Sequence, residues 1–173
     1  RRLCEELGAT YVKLGQFIAS SPTLFPADYV AEFQKCLDST PPMAWEVVKE
    51  VIEEELGCPI ASVYKHVETS PLASASIAQV HAATLLSGEE VVIKVQKVGV
   101  QASLRADLDL MFATSRVLEI LLPTQEGFEQ KGELSEIVGE IRRAILEEVD
   151  FTLEAQRTSQ FADFLLTRPE LQG

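Results

Sequence analysis

Residues 71–96 read PLASASIAQVHAATLLSGEEVVIKVQ, and this stretch decides the fold. Ile77 to Leu85 and Val91 to Val95 are rich in strand formers. The Ser87, Gly88, Glu89 cluster between them reads as a hairpin turn, with Gly88 supplying the positive φ that such turns require. Just upstream, Val63, Lys65 and Val67 alternate with other residues, so three antiparallel strands are expected in all.

Helical periodicity flanks this sheet on both sides. Leu3, Leu7, Tyr11, Leu14 and Ile18 recur at spacings of four and three, which predicts one amphipathic first helix. Pro26 opens a second, with Val30, Phe33 and Leu37 as its stripe. Pro41 and Pro42 announce a third, carrying Trp45, Val48, Ile52 and Leu56 and ended by Gly57 and Pro59. After Gly99 the chain returns to helix. Leu104, Leu108, Met111 and Val117 or Leu118 predict a helix reaching Pro123; a polar loop of Gln, Glu and Gly follows, then a long helical pattern through Ile137, Ile141, Ile145 and Val149. Helices, a small antiparallel sheet and helices again make an α+β plan. The expected divisions are a helical extension over 1–60, strands over 61–99 and helices over 100–173.

Composition narrows the function. A chain of 173 residues with 46% hydrophobic content is enough for one sizeable core or two small ones. The net charge of -12 repels phosphate backbones and anionic lipid head groups, so nucleic acid is not an expected partner. Cys4, Cys36 and Cys58 are odd in number and include no CxxC pair, which suggests reduced, mostly buried thiols rather than a disulfide framework or zinc site. No apolar run approaches the ~18 residues of a spanning helix. The chain opens at Arg1 within a helical pattern and without an initiator Met, as an excerpt of a longer protein would.

The strongest chemical signal is Lys94, at the end of Val91-Val92-Ile93-Lys94 on the strand after the hairpin. It resembles the nucleotide-binding lysine of kinases, where a rigid strand holds an ammonium beside the α and β phosphates and a helix carboxylate steadies it. A lysine ending an apolar strand also occurs in proteins with no such task. The preceding loop, Ala73, Ser74, Ala75, Ser76, Ile77, Ala78 and Gln79, sits where a kinase places its glycine-rich, phosphate-covering loop. Its small side chains admit phosphate oxygens to backbone N–H groups, although each alanine Cβ narrows that approach, and the two serines add hydroxyl donors. The same composition also suits a tightly packed hairpin against a helix. His81 reads as a hydrogen-bonded structural residue, His66 as a residue of an edge strand, and Trp45 as a core or interface aromatic.

The combination of this loop and lysine with Lys13-Leu14-Gly15-Gln16, Glu148-Val149-Asp150 and Glu154-Ala155 resembles the UbiB/AarF family, the aarF-domain-containing atypical kinases linked to ubiquinone and other prenylquinone metabolism. The match runs through nearly the whole chain in the order KxGQ helix, Ala-rich loop, VAIK-like lysine, ExD motif. It implies a protein-kinase-like N-lobe preceded by a helical extension, with the C-lobe absent from this chain. It also implies that Lys94 contacts phosphate and forms a buried ion pair with Glu154 of helix C, and that Lys13 and Gln16 lie on an extension facing Glu148 and Asp150. The plainer alternative is a solvated Lys13 and an exposed acidic face at Glu147, Glu148 and Asp150. The chain departs from the family at Lys97-Val98-Gly99-Val100, where a proline usually precedes the glycine; this is expected to alter a turn and to leave ligand binding intact.

ATP and magnesium are the cofactors the resemblance implies. Magnesium ligands are expected in the missing C-lobe, since the chain contains no asparagine and its Asp150-Phe151 is followed by Thr152 rather than glycine. The expected partners are prenylquinone precursors, lipid or quinone-synthesis proteins, with peripheral membrane association, in a plastid, a mitochondrion or at a bacterial inner membrane. The alternative function is a non-catalytic kinase-like scaffold that binds a protein partner or lipid.

Overall fold

The computed structural model describes residues 2–23, 25–35, 40–121 and 133–168. They fall into two compact units, Arg1–Leu104 and Arg105–Gly173.

In the first unit Gly8, at φ 102°, interrupts the N-terminal helical pattern. Two helices result, α1 (Arg2–Leu7) and α2 (Ala9–Ser20), where the periodicity predicted one. The apolar stripe is not carried across the break: Leu3 and Leu7 are exposed, and the buried residues of α2 are Thr10, Val12, Lys13 and Gly15. Helix α3 (Ala27–Phe33) follows Pro26 and buries Val30. Leu37 and Cys36 lie outside the described residues. Helix α4 (Trp45–Leu56) ends as its sequence requires, with Gly57 in the left-handed conformation.

The sheet contains the three expected strands, β1 (Tyr64–Val67), β3 (Ala78–Leu85) and β4 (Glu90–Gln96). A two-residue strand, β2 (Ala73–Ser74), is added within the Ala-rich segment. Strand β4 pairs with β3 from Ala78 to Thr84, so β1 and β2 share the opposite edge of β3. Gly88 takes φ 96° in the β3–β4 turn, as expected.

Directly opposed residues of an antiparallel pair share a face. Gln79 and Val95, His81 and Ile93, and Ala83 and Val91 therefore lie on one side of the sheet. Val80 and Lys94, and Ala82 and Val92, lie on the other. The first side is the core: Val95 packs with Val48 and Ile52 of α4, and Met43, Trp45 and Ile93 close around them. Burying each of these aliphatic side chains contributes about 2 kcal/mol. Helix α4, grouped with the extension in the sequence, thus packs against the strands.

Beyond Gly99 runs α5 (Val100–Leu121). Its buried residues are Val100, Leu104, Leu108 and Ser115, correcting the expectation that the stripe continues to Val117 or Leu118, both of which are exposed. Ser115 lies three turns beyond Leu104, whereas Val117 is rotated from it by about 220°. The Ser115 hydroxyl donates to the Phe112 carbonyl (2.7 Å), which satisfies it inside the stripe. In the second unit α6 (Glu133–Glu148) contributes Ile141 and Ile145 to the interior, with Val149 just after it. Helices α5 and α6 are joined by Arg142 to Asp109 (2.6 Å) and by the Ser135 N–H donating to the Glu119 carboxylate (2.7 Å). The polar loop predicted after Pro123 lies outside the described residues. Helix α7 (Phe151–Leu166) completes this unit. Cys4 and Cys58 are half-buried, so the expectation of mostly buried thiols is corrected for these two.

Candidate nucleotide site

The Ala-rich segment folds as a tight hairpin. Ala73 pairs with Val80 and Ser74 with Gln79, and the Ala75 N–H donates to the Ala78 carbonyl (2.8 Å) across the tip. Larger side chains would crowd the tip, where Ser76, Ile77 and Ala78 are already buried. The Ser74 hydroxyl is buried with no hydrogen-bond partner among the described residues. A buried donor left without a partner costs about 1–3 kcal/mol; because Ser74 opposes Gln79, this hydroxyl lies on the opposite side of the sheet from Ala73 and Val80.

Lys94 is exposed on the face opposite α4, cross-strand from Val80 and in line with Val92. The β2–β3 register places Ala73 on this face too, because it opposes Val80. Small and aliphatic groups thus lie beside a lysine carried by β4, the strand paired with β3. Farther along the same strands a depression of about 690 Å³ is bordered by Ala82, Val92, Thr84, Glu90, His66 and Glu68. A flat apolar ring could rest on Val80, Ala82 and Val92 while its charged appendage reached Lys94. Val80 and Val92 were not singled out in the sequence; counting by twos along the strands from Lys94 would have found Val92, and the hairpin register Val80.

Gln79, expected with the rest of the loop to meet the cofactor, turns its side chain into the core. It opposes Val95, so strand alternation turns it toward α4, and it is 1% exposed. There its Oε1 accepts from the Met43 N–H (2.6 Å), which fixes the amide orientation and leaves Nε2 to donate to His81 Nε2 (2.8 Å). His81 Nδ1 must then carry the ring proton, which it donates to the Glu68 carbonyl (2.7 Å). His81 is fully buried and lies 5.5 Å from Trp45, ring centre to ring centre. The structural role expected of His81 is the one found. His66 lies on β1, at the edge of the sheet.

On α2, Lys13 is 7% exposed, so the solvated-lysine alternative does not hold, and Gln16 is half-buried one turn later. In the second unit Glu148 ends α6, and Asp150 caps α7 by accepting the Leu153 N–H (3.0 Å). Glu154 lies in the first turn of α7. Lys94, in the first unit, and Glu154, in the second, are each exposed. Glu147, on the acidic face, pairs with Arg157 (2.7 Å).

The Lys97–Val100 turn closes with the Val100 N–H on the Lys97 carbonyl (3.2 Å), with Gly99 at φ 74°. Gly99 holds the third position, where positive φ is required, and Val98 holds the second, where proline is common but dispensable. Among the described residues no group of three His, Cys, Asp or Glu side chains could hold a metal ion. No described helix is long and apolar enough to cross a membrane.

A small antiparallel sheet with a lysine on its central hairpin, a tight small-residue loop and flanking helices defines a kinase-like N-lobe. Residues 35–172 match the ABC1 atypical kinase-like domain, and the chain belongs to that family. It is 52% identical over 168 residues to a chloroplastic aarF domain-containing protein kinase of Arabidopsis thaliana, covering 96% of this chain and 30% of that one. It is also 37% identical over 171 residues to a probable protein kinase UbiB of Cellvibrio japonicus, covering 99% of this chain and 30% of the relative. An uncharacterized protein of Mycobacterium tuberculosis is 39% identical over 164 residues, 95% of this chain and 33% of the relative. The chain therefore spans about a third of the length of these relatives.

Proposed function

We propose that this chain carries half of the nucleotide site of an ATP- and magnesium-dependent atypical kinase or ATPase. The observation that carries the reading is Lys94, mounted on β4 beside Val80 and Val92 and on the same face as Ala73 of the Ala-rich hairpin. The strand fixes the Lys94 backbone, and the flexible four-carbon stem lets the ammonium reach a phosphate beside this face. Ala73 is exposed and Ala75 half-buried, and their small side chains leave room at the hairpin for phosphate oxygens. Magnesium, when bound with ATP, would neutralise phosphate charge; its ligands lie outside the motifs of this chain.

Glu154 is the proposed partner of Lys94, and Lys13 and Gln16 are the proposed extension residues opposite Glu148 and Asp150, by resemblance to the UbiB/AarF family. That resemblance also supports a role in prenylquinone or lipid metabolism, with prenylquinone precursors, lipid or quinone-synthesis proteins as partners and peripheral attachment to a membrane. A ligand that binds only the folded protein must stabilise it, by about 2.7 kcal/mol at a hundredfold excess over Kd. The test is thermal unfolding of the full-length protein with ATP, with and without magnesium. A rise in melting temperature that requires both supports the reading; no rise with either argues for a non-catalytic scaffold.

A further inference from the structure

The hairpin is tied to the segment that leads into α4 by hydrogen bonds from residues distant in sequence. The Thr40 hydroxyl donates to the Ala75 carbonyl (2.6 Å) at the hairpin tip. Lys97, just beyond β4, donates to the Thr40 oxygen and to the Pro41 carbonyl, holding that hydroxyl in place. Three residues later the Met43 N–H enters the buried chain through Gln79 and His81 to the Glu68 carbonyl. The tip and base of one hairpin are thus fastened to the same short stretch, 40–43.

We infer that Thr40, Gln79 and His81 are positioning residues that set where the phosphate-covering backbone lies; the inference rests on the nucleotide reading above. The peptide joining Ala75 to Ser76 is planar and trans, so its carbonyl and its N–H point in opposite directions. Holding the Ala75 carbonyl against Thr40 therefore fixes the direction of the Ser76 N–H, and it keeps a carbonyl oxygen from turning toward an anion. A glycine-rich loop obtains such geometry by adapting to its ligand. An alanine-rich loop has less φ freedom, and the brace supplies the geometry before the ligand arrives.

Gln79→Leu would strand two buried polar groups and could fail to fold, so Thr40 gives the cleaner test. In the full-length protein, Thr40→Val keeps the side-chain shape and removes the donor, while Thr40→Ser restores it. The readouts are amide hydrogen exchange across residues 72–80 without ligand, and calorimetric affinities for magnesium-ATP and for adenosine, which has no phosphates to be positioned. Thr40→Val is expected to speed hairpin exchange about tenfold. It is also expected to weaken ATP about fivefold and leave adenosine affinity unchanged, with Thr40→Ser behaving as the unaltered protein. Unchanged exchange overturns the brace. Faster exchange with unchanged ATP affinity overturns the positioning role alone. Failure of the unaltered protein to bind ATP defeats the nucleotide reading itself and takes the positioning role with it.

Discussion

The two faces of the sheet are made from the same two strands and solve opposite problems. On one, Gln79, His81, Ile93 and Val95 are enclosed beneath α4, and every polar atom of the buried Gln79–His81 pair that could be stranded is given a partner. On the other, one residue away along each strand, Val92 and Lys94 are exposed and Lys94 projects a charge among aliphatic groups. The first face spends its polar groups on holding the hairpin. The second, on the reading proposed above, presents groups that meet a ligand. Residue type alone does not separate the two, because glutamine and lysine both look like surface residues; strand alternation and register do.

Substitutions can break this contrast, and the largest effect belongs to the enclosed face. Ile52→Ala should cost about 3 kcal/mol in unfolding free energy by leaving a cavity under the sheet, measured by chemical denaturation. Gln79→Leu should cost about 2 kcal/mol despite adding an apolar side chain, because the Met43 N–H and His81 Nε2 lose their partners. A neutral result there would show that water reaches these atoms.

The second unit sharpens the same distinction between polar groups that hold structure and polar groups held for chemistry. Asp150→Ala should cost about 1 kcal/mol by uncapping α7, whereas Asp150→Asn should keep the cap and most of the stability. If Asp150→Asn nevertheless alters nucleotide turnover in the full-length protein, the carboxylate has a second task besides capping. Glu119 gives a smaller, pH-dependent effect. The Ser135 backbone N–H beside it holds its carboxyl below the ordinary value of 4.5. Because the folded-state value is depressed, the stabilisation is present above pH 4.5 and is lost as pH falls through the folded value. The melting-temperature difference between the unaltered protein and Glu119→Gln should therefore be constant near neutrality and shrink in acid.

The sequence made the three longer strands, the Gly88 turn and the end of α4 legible, because each rests on local rules: β-branched runs, a positive-φ glycine, a left-handed helix cap. It misjudged what depends on packing. Leu3 and Leu7 fit a helical stripe, but Gly8 breaks the helix on which the stripe was drawn. Val117 looked like a core residue, while the buried place belongs to Ser115, whose hydroxyl is satisfied within its own helix. For the site, motif order exposed Lys94 and the Ala-rich hairpin. The inward turn of Gln79 and the tie from Thr40 could not be read, since both depend on which strand face α4 covers and on bonds between residues 35 and 36 positions apart.

The exposed face carries the central claim, and Lys94→Met tests it most directly. Its removal should change stability by no more than about 0.5 kcal/mol, because the side chain lies on the surface away from the core. Magnesium-ATP titrated calorimetrically into the full-length protein should bind the unaltered form and bind Lys94→Met at least about tenfold more weakly, the reduction expected when a charge-assisted hydrogen bond to phosphate is removed. Equal affinities in two equally folded proteins would contradict the assignment of Lys94 to the nucleotide.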